Sequence, residues 1–197
     1  MQHEFEAKCL IASVADARER LERMGATCVR PERTFHRMIF DFPGRTLAAR
    51  GGYVRVRDEG GRMTMSYKQM PTDAAIEDCF ETELIIHSFA DGVAFCEDIG
   101  MIRKSEQETK RESWEGMGTK CEIDQWPGIP PYLEVEGPDE ATVRKAVTAL
   151  GYAWEEVRFG GVGVLYKLFL GIPEDAVNDI PVITFAHPPV HQVHGSA

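Results

Sequence analysis

Residues 4–8 read EFEAK, with ionisable side chains at Glu4, Glu6 and Lys8 and apolar ones at Phe5 and Ala7 between them. A period of two belongs to a β-strand, whose successive side chains point to opposite faces. The stretch therefore predicts a first strand with one charged and one apolar face. The same alternation runs through GGYVRVRDE (51–59), RMTMSYKQM (62–70), CFETELIIH (79–87), QETKRESW (107–114), TKCEIDQW (119–126) and YLEVEG (132–137). With the first, these make seven candidate strands, and DEGGR (58–62) and EGMG (115–118) read as hairpin turns between neighbours.

Three helical patterns interrupt the strands. They run from Ser13, from Ser88 and from near Asp139, and end at Gly25, Gly100 and Gly151, where a left-handed cap is expected. Each follows a strand with two glutamates in alternation: Glu4 and Glu6, Glu81 and Glu83, Glu134 and Glu136. This E-x-E strand and helix unit is too short for a solenoid. It predicts a mainly antiparallel β protein with helices outside, hence an α+β fold.

At 197 residues the chain fits one domain with a core of its own, and 43% hydrophobic with 27% charged residues is ordinary globular composition. No apolar run reaches membrane-spanning length and no signal peptide opens the chain, so no membrane partner and a cytoplasmic location are expected. A formal charge of −10 argues against a nucleic-acid binder. The five cysteines (Cys9, Cys28, Cys79, Cys96, Cys121) are scattered without a C-x-x-C pair and read as small buried apolar residues. The main domain is expected over 1–175. Beyond it, the Pro-rich residues 176–197 read as a tail packed on the surface near Ile183 and Phe185 and frayed past Pro189.

For one strand alone, the ordinary reading is a half-solvated sheet. Across the set, however, whole strands specialise: Arg55 with Arg57, Lys68 and Arg111 form basic faces, whereas Glu81 with Glu83, Glu122 with Asp124, and Glu134 with Glu136 form acidic ones. The opposite faces carry Phe5, Ala7, Val54, Val56, Met65, Tyr67, Phe80, Leu84, Ile123, Leu133 and Val135, which can bury against helices. Clustered carboxylates raise one another's pKa unless a cation sits between them, which points to Mg²⁺ or Mn²⁺. Guanidinium and ammonium groups suit phosphate oxygens. If the sheet closes, both sets line one lumen, a site for a polyanion with its metal ions.

The opening ExExK, then VRVR, the YK ending the third strand, ETEL, KRESW, EID and the closing EVEG stand in the order found in the CYTH superfamily, the triphosphate tunnel metalloenzymes, which this chain resembles over about residues 3–170. The resemblance implies an eight-stranded antiparallel barrel open as a tunnel. It also implies that Glu4, Glu6, Glu134 and Glu136 face metal, supported by Glu81, Glu83 and Asp124, and that Lys8, Arg55, Arg57, Lys68 and Arg111 grip a triphosphate. Lys8, Arg57, Lys68 and Arg111 would also serve catalysis, whereas Lys110 alternates to the other face. Two departures stand out: Glu77 occupies a place where relatives often carry arginine, and Gly161 offers no hydroxyl near Tyr166, where the family has a Ser-Tyr segment.

The implied partner is a small triphosphate-containing molecule, taken by a monomer or homodimer. Its terminal phosphate would be hydrolysed; the alternatives are conversion of ATP to cyclic AMP and pyrophosphate by a class IV adenylyl cyclase, or a sensor without turnover. Trp114, Trp126 and Trp154 read as packing residues, with Trp126 the one to test for nucleobase contact. His187, His191 and His194 lie in the tail and read as solvated. FGGVG (159–163) lacks the Gly-Lys-Ser/Thr of a phosphate loop. The charged residues Arg18, Glu19, Arg20, Glu22 and Arg23 read as the solvated face of the first helix.

Overall fold

In the computed structural model the described residues are 2–69 and 79–190, with the side chains of residues 2–4 and of Cys79 outside the description. Glu77, His191 and His194 also lie outside the described residues. The elements run β1 (Gln2–Leu10), α1 (Val14–Met24), β2 (Thr27–Asp41), β3 (Gly52–Asp58), β4 (Met63–Gln69), β5 (Cys79–Ile86), α2 (Phe89–Asp98), β6 (Ile102–Gly116), β7 (Thr119–Gln125), β8 (Tyr132–Gly137), α3 (Glu140–Ala149), α4 (Gly163–Leu170) and β9 (Val182–Ile183).

The strands pair in the order β2-β3-β4-β5-β1-β8-β7-β6, and a further β2–β6 pairing closes the ring into an eight-stranded antiparallel barrel. Closure leaves none of these strands as a sheet edge. Both expected hairpins form: Met117 and Gly118 take positive φ between the paired Gly116 and Thr119, as a two-residue primed turn demands. The short β9 adds to β6 in parallel.

The three expected helices form where their caps predict. The side chains of Ser13, Ser88 and Asp139 accept hydrogen bonds from the backbone N–H of Asp16, Asp91 and Thr142. Each such cap stabilises its helix by about 1 kcal/mol. Helices α1 and α3 cover the outer face of β1, β7 and β8, burying Ala17, Leu21, Val143 and Val147 against Ala7, Cys121, Ile123, Leu133 and Val135. Helix α2 covers the other side through Val93 and Cys96 against Met38, Phe40 and Val56. Leu84 is an exception to the expected apolar face, since it stays exposed. Cys28 is exposed as well, whereas Cys9, Cys96 and Cys121 are buried.

Two charged residues of α1 are anchors and not a solvated fringe. Arg18 grips both carboxylate oxygens of the buried Glu112, which also accepts from the Trp114 indole at 2.7 Å. Arg20 reaches the carbonyl of Leu150 and lies over the Tyr152 ring. Both sequence positions looked like one face of an isolated helix, but the barrel wall and the end of α3 come within reach only after folding.

A third apolar cluster joins Trp126 and Tyr132 to Leu165, Tyr166, Ile172, Val177 and Ile183. Ile183 is completely buried, and the residues past 175 continue a short 3-10 turn, Glu174–Asp179, that packs across one end of the barrel. Asp179 ties this turn down through Arg45 at 2.6 Å and Lys104 at 2.8 Å. Helix α4 had no counterpart in the sequence reading, because its run GVLYKLFL is apolar nearly all round and offers no polar stripe. Among the described residues no helix is long and apolar enough to cross a membrane.

Candidate active site

Inside the barrel, the residues that alternate inward from eight strands line one cavity of about 1270 Å³. Basic and acidic side chains line it in balance, in a chain whose overall charge is −10. The sites expected to grip phosphate all reach it: Lys8, Arg55, Arg57, Lys68 and Arg111. So do Glu6, Glu81, Glu83, Glu134 and Glu136 of the expected metal side. Glu4 lies on β1, but its side chain is outside the described residues. Asp124 is buried behind the lining, where it accepts from both the Nε and Nη2 of Arg111 and so fixes that guanidinium. Lys110 turns outward to Glu32, as its alternation predicted.

Cross-strand register sets up the acidic wall. Glu6 stands directly opposite Glu136, and Glu122 opposite Glu134. Facing carboxylates on neighbouring strands repel. The repulsion is relieved by cations threaded between them: Lys8 contacts Glu6 at 2.8 Å and Glu134 at 3.0 Å, while Lys120 contacts Glu122 at 2.9 Å and Glu136 at 3.6 Å. Arg111 adds a 3.4 Å contact to Glu134. Burial by itself would raise the Glu134 carboxyl, but Lys8 and Arg111 outweigh it and hold the group below its usual range. Burial would lower Lys8 in turn, yet Glu134 and Glu6 raise it above the ordinary lysine value. One oxygen of the buried Glu122, Oε2, has no hydrogen-bond partner.

The opposite wall, from β2 to β5, holds an excess of guanidinium. Arg55 meets Glu81 at 2.6 Å, and Arg57 pairs with Glu59 and, at 3.2 Å, with Glu83. Lys68 lies 3.7 Å from Glu81, and Arg62 reaches Glu83 at 2.7 Å. Even so, the Nε donors of Arg37, Arg55 and Arg57 are buried without a partner. Burial, with Arg55 and Arg37 beside it, pushes Arg57 down to about 9, and burial with Arg55 and Arg111 pushes Arg37 down to about 10. Both remain charged at neutral pH, and each is held in an environment that favours an incoming anion.

Sequence reasoning missed the contribution of β2. Its residues Arg33, Phe35, Arg37 and Ile39 share the inward face, but Pro31 and a register irregularity between Arg30 and Arg33 obscure the strand's start. The alternation R-T-F-H-R-M-I-F (33–40) was the available signal. Phe35 is buried inside the barrel with the guanidiniums of Arg33, Arg57 and Arg111 at 5.0, 5.5 and 6.0 Å from its ring centre. Trp126, the residue singled out for nucleobase contact, is buried with Arg37 stacked 4.7 Å over its ring and Tyr166 against it edge-on.

The C-terminal part completes the wall. Strand β1 pairs with β5 only through residues Gln2 to Glu4, which leaves its later edge open. Arg158 fills that edge, exchanging both backbone hydrogen bonds with Lys8 at 2.9 Å. The bridge brings Phe159 to Val164, with the FGGVG stretch that lacks a phosphate-loop motif, to the cavity. Gly163 is required here, because a Cβ would lie 2.7 Å from the carbonyl oxygen of Glu174. Asn178 reaches in from the 3-10 turn and accepts from Gln107 at 3.2 Å.

Among the described residues no group of three or more His, Cys, Asp or Glu is already drawn together as a metal site. The donor set nevertheless fits a hard divalent ion. It offers carboxylate oxygens on three adjacent strands, two directly opposed acid pairs, and the unpartnered Oε2 of Glu122.

Comparison with known proteins agrees with this architecture. A candidate adenylate cyclase from Vibrio parahaemolyticus superposes with a TM-score of 0.70 at 15% identity, over 86% of this chain and 98% of that one. A protein from Pyrococcus horikoshii OT3 gives 0.67 at 17% identity, over 86% and 99%. An adenylyl cyclase candidate from Hippeastrum, described as having a dominant triphosphatase activity, gives 0.57 at 15% identity, over 82% and 91%. At such identities the likeness is one of fold. No protein of curated function matches the sequence. The model of the CYTH domain matches residues 2–157, and with the closed eight-stranded barrel and its charged lumen, this chain belongs to the CYTH family.

Proposed function

We propose that this CYTH protein is a divalent-metal-dependent enzyme that hydrolyses the terminal phosphate of a triphosphate-containing substrate. The observation that carries the reading is the set of buried, unpartnered Nε donors on Arg37, Arg55 and Arg57, facing a cavity whose other wall is carboxylate. Buried donors without partners are costly, and phosphate oxygens satisfy guanidinium forks well.

Glu6, Glu134, Glu136 and Glu122 are the residues that would hold Mg²⁺ or Mn²⁺, with Glu4 joining them by family resemblance. Bound there, the ion would supply Lewis acidity at a phosphoryl oxygen. Arg55, Arg57, Lys68 and Arg111 orient the phosphate chain and neutralise the charge that builds on its oxygens during transfer. Without ligand, the two walls neutralise themselves. A metal triphosphate would fit by exchange: Glu6, Glu134, Glu122 and Glu136 would give up Lys8 and Lys120 for the metal, and Arg55, Arg57 and Arg62 would give up Glu59, Glu81 and Glu83 for phosphate oxygens. Metal and triphosphate then bind together better than either alone, which sets an enzyme of this kind apart from a phosphate sensor indifferent to divalent ions.

Hydrolysis is preferred here over cyclisation of ATP because two aromatic residues of the lumen, Trp126 and Phe35, already carry guanidiniums over their rings, which a nucleobase stacking there would have to displace. Tyr53 and Phe159 also line the cavity and are the ring positions through which the alternative, a cyclase, would have to hold a base. The test is to incubate the protein separately with tripolyphosphate, thiamine triphosphate and ATP, with Mg²⁺ or Mn²⁺, and to separate the products. Orthophosphate, abolished by EDTA and restored by the metal, is the expected outcome. Cyclic AMP with pyrophosphate would replace the hydrolase by a cyclase, and tight binding without product would leave only a sensor.

A further inference from the structure

The ring has no edge strand, but it has an edge segment. Strand β5 pairs with β4 from Phe80 to Ile86, whereas β1 reaches it only from Cys79 to Glu81. Among the described residues nothing pairs with β5 beyond Glu81 on that side. The helices leave the same place bare, since α3 packs on β1, β7 and β8, and α2 on β3 and β4. Residues 82–85 are therefore all exposed, on both faces of the strand at once. Leu84 is 55% exposed and Ile85 73%. Natural sheets ordinarily blunt such an edge with Lys, Pro or a covering loop. No lysine or proline stands in residues 82–87, whose ionisable groups are His87 and Glu83, the latter in contact with Arg57 and Arg62.

A strand edge is completed by another strand, and the order of side chains in this one says which. Two copies of a strand pair antiparallel about a two-fold axis, and residues directly opposite share a face of the sheet. The axis must pass through a residue, because an axis between residues would set the lumen face of one copy against the outer face of the other. With the axis on Ile85, that residue meets its own copy, Leu84 meets Ile86, and Glu83 meets His87. Apolar groups then face apolar ones, and each carboxylate faces an imidazole. Moving the axis to Leu84 or to Ile86 sets Ile85 against Glu83 or His87 instead. The segment is thus self-complementary in the Ile85 register over residues 83–87, about five residues a side, which is an ordinary strand length.

We infer that this protein forms a two-fold homodimer in which β5 pairs with β5 of a second copy, Ile85 lying on the axis. The inference stands apart from the chemistry of the lumen. Pairing covers Leu84 and Ile85 and extends the hydrogen-bonded ladder across the open edge. A formal charge of −10 on each copy opposes association, so screening by salt strengthens this dimer, whereas a contact built on ion pairs between copies would weaken.

The test is sedimentation equilibrium of the full chain from about 1 μM to about 100 μM, at low and high salt, for the wild type, Ile85→Lys and Phe95→Lys. The wild type should dimerise within that range, more tightly at high salt. Ile85→Lys sets two ammonium groups against each other on the axis and should weaken the dimer at least about tenfold. Phe95→Lys places the same charge on an exposed position of α2 and should leave the dimer as it is. Cross-linking is the second readout. Opposed residues of paired strands have Cα atoms about 4.5–5.5 Å apart, within reach of a disulfide. In a Cys28→Ser background, which removes an exposed thiol, mild oxidation should link Ile85→Cys into dimers and leave Phe95→Cys unlinked. A wild type that stays monomeric would give the edge to a strand of some other protein and overturn the homodimer. So would an Ile85→Lys variant that associates like the wild type, a Phe95→Lys variant that loses the dimer equally, or Ile85→Cys linking no better than Phe95→Cys.

Discussion

Replacing Lys8 by methionine keeps the volume of the side chain and removes the charge between Glu6 and Glu134. The ammonium lies 2.8 and 3.0 Å from the two carboxylates and is 1% exposed. With an effective dielectric constant of about 20, each contact carries about 5–6 kcal/mol of attraction before desolvation is counted. Breaking a buried pair by deleting one partner costs about 3–5 kcal/mol net. For a chain of this size, that corresponds to a fall of about 6–20 °C in melting temperature. The deficit should depend on pH. In the wild type, Glu134 is depressed below its ordinary value of 4.5, so its contribution is present above that value and is lost as pH falls through the folded pKa. In Lys8→Met, the dominant effect left on Glu134 is burial, which raises it. Its ionised form then destabilises the fold, so the gap between variant and wild type is widest at neutral pH and narrows on acidification. Mg²⁺ should raise the melting temperature of the variant more than that of the wild type, because the freed carboxylates take the cation. The assay is calorimetric melting of both proteins in EDTA and in Mg²⁺, at neutral and mildly acidic pH. A variant that melts within about 2 °C of the wild type at neutral pH in EDTA would refute the claim that Lys8 neutralises this wall.

Glu136→Gln should abolish metal-dependent turnover while leaving the fold intact, since Lys120 keeps Glu122 as its partner; full activity with Mg²⁺ would remove Glu136 from the metal side. Arg57→Ala should weaken tripolyphosphate by at least about tenfold, as loss of a charge-assisted partner implies, and unaltered affinity in titration calorimetry would count against the basic grip. Gly163→Ala forces a Cβ against the backbone of Glu174, whose carbonyl oxygen and Cα would lie 2.7 and 2.9 Å away. An overpacking cost of about 1–3 kcal/mol should appear in thermal melts, and its absence would show that the C-terminal turn is free to retreat from the site.

Much of the site was legible because a strand writes its faces into sequence. EFEAK, VRVR, ETEL and YLEVEG each separate charge from hydrocarbon with a period of two, and that period alone puts Glu6 beside Lys8 and Arg55 beside Arg57 on one face. Helix ends were equally local, since Ser13, Ser88 and the left-handed Gly25 act within one turn of their own backbone. Harder to read was β2, where Pro31 interrupts the alternation and the inward face mixes Arg33 and Arg37 with Phe35 and Ile39. Such a mixture looks like neither a charged face nor an apolar one. The C-terminal turn was legible only as a segment packed near Ile183, and its depth was not, for a different reason. Val177 and Ile183 carry no periodic signal, and they are buried only because Trp126, Tyr132 and Tyr166 present an apolar surface to receive them.

By itself, the sequence determined the local geometry: which residues form strands, which side chains share a face, and that acids and bases are segregated among the faces. These follow from the pleat of the backbone and need no partner. Only the tertiary structure decided which faces meet, because the β2–β6 pairing that closes the ring joins residues as far apart as Thr27 and Glu115. Closure turned seven separate charged faces into two opposed walls. It set Glu6 against Glu136, wedged Lys8 between carboxylates, and stacked Arg37 on Trp126. Charge pairing across a lumen is a matter of distances between strands, and those distances exist only once the barrel is closed.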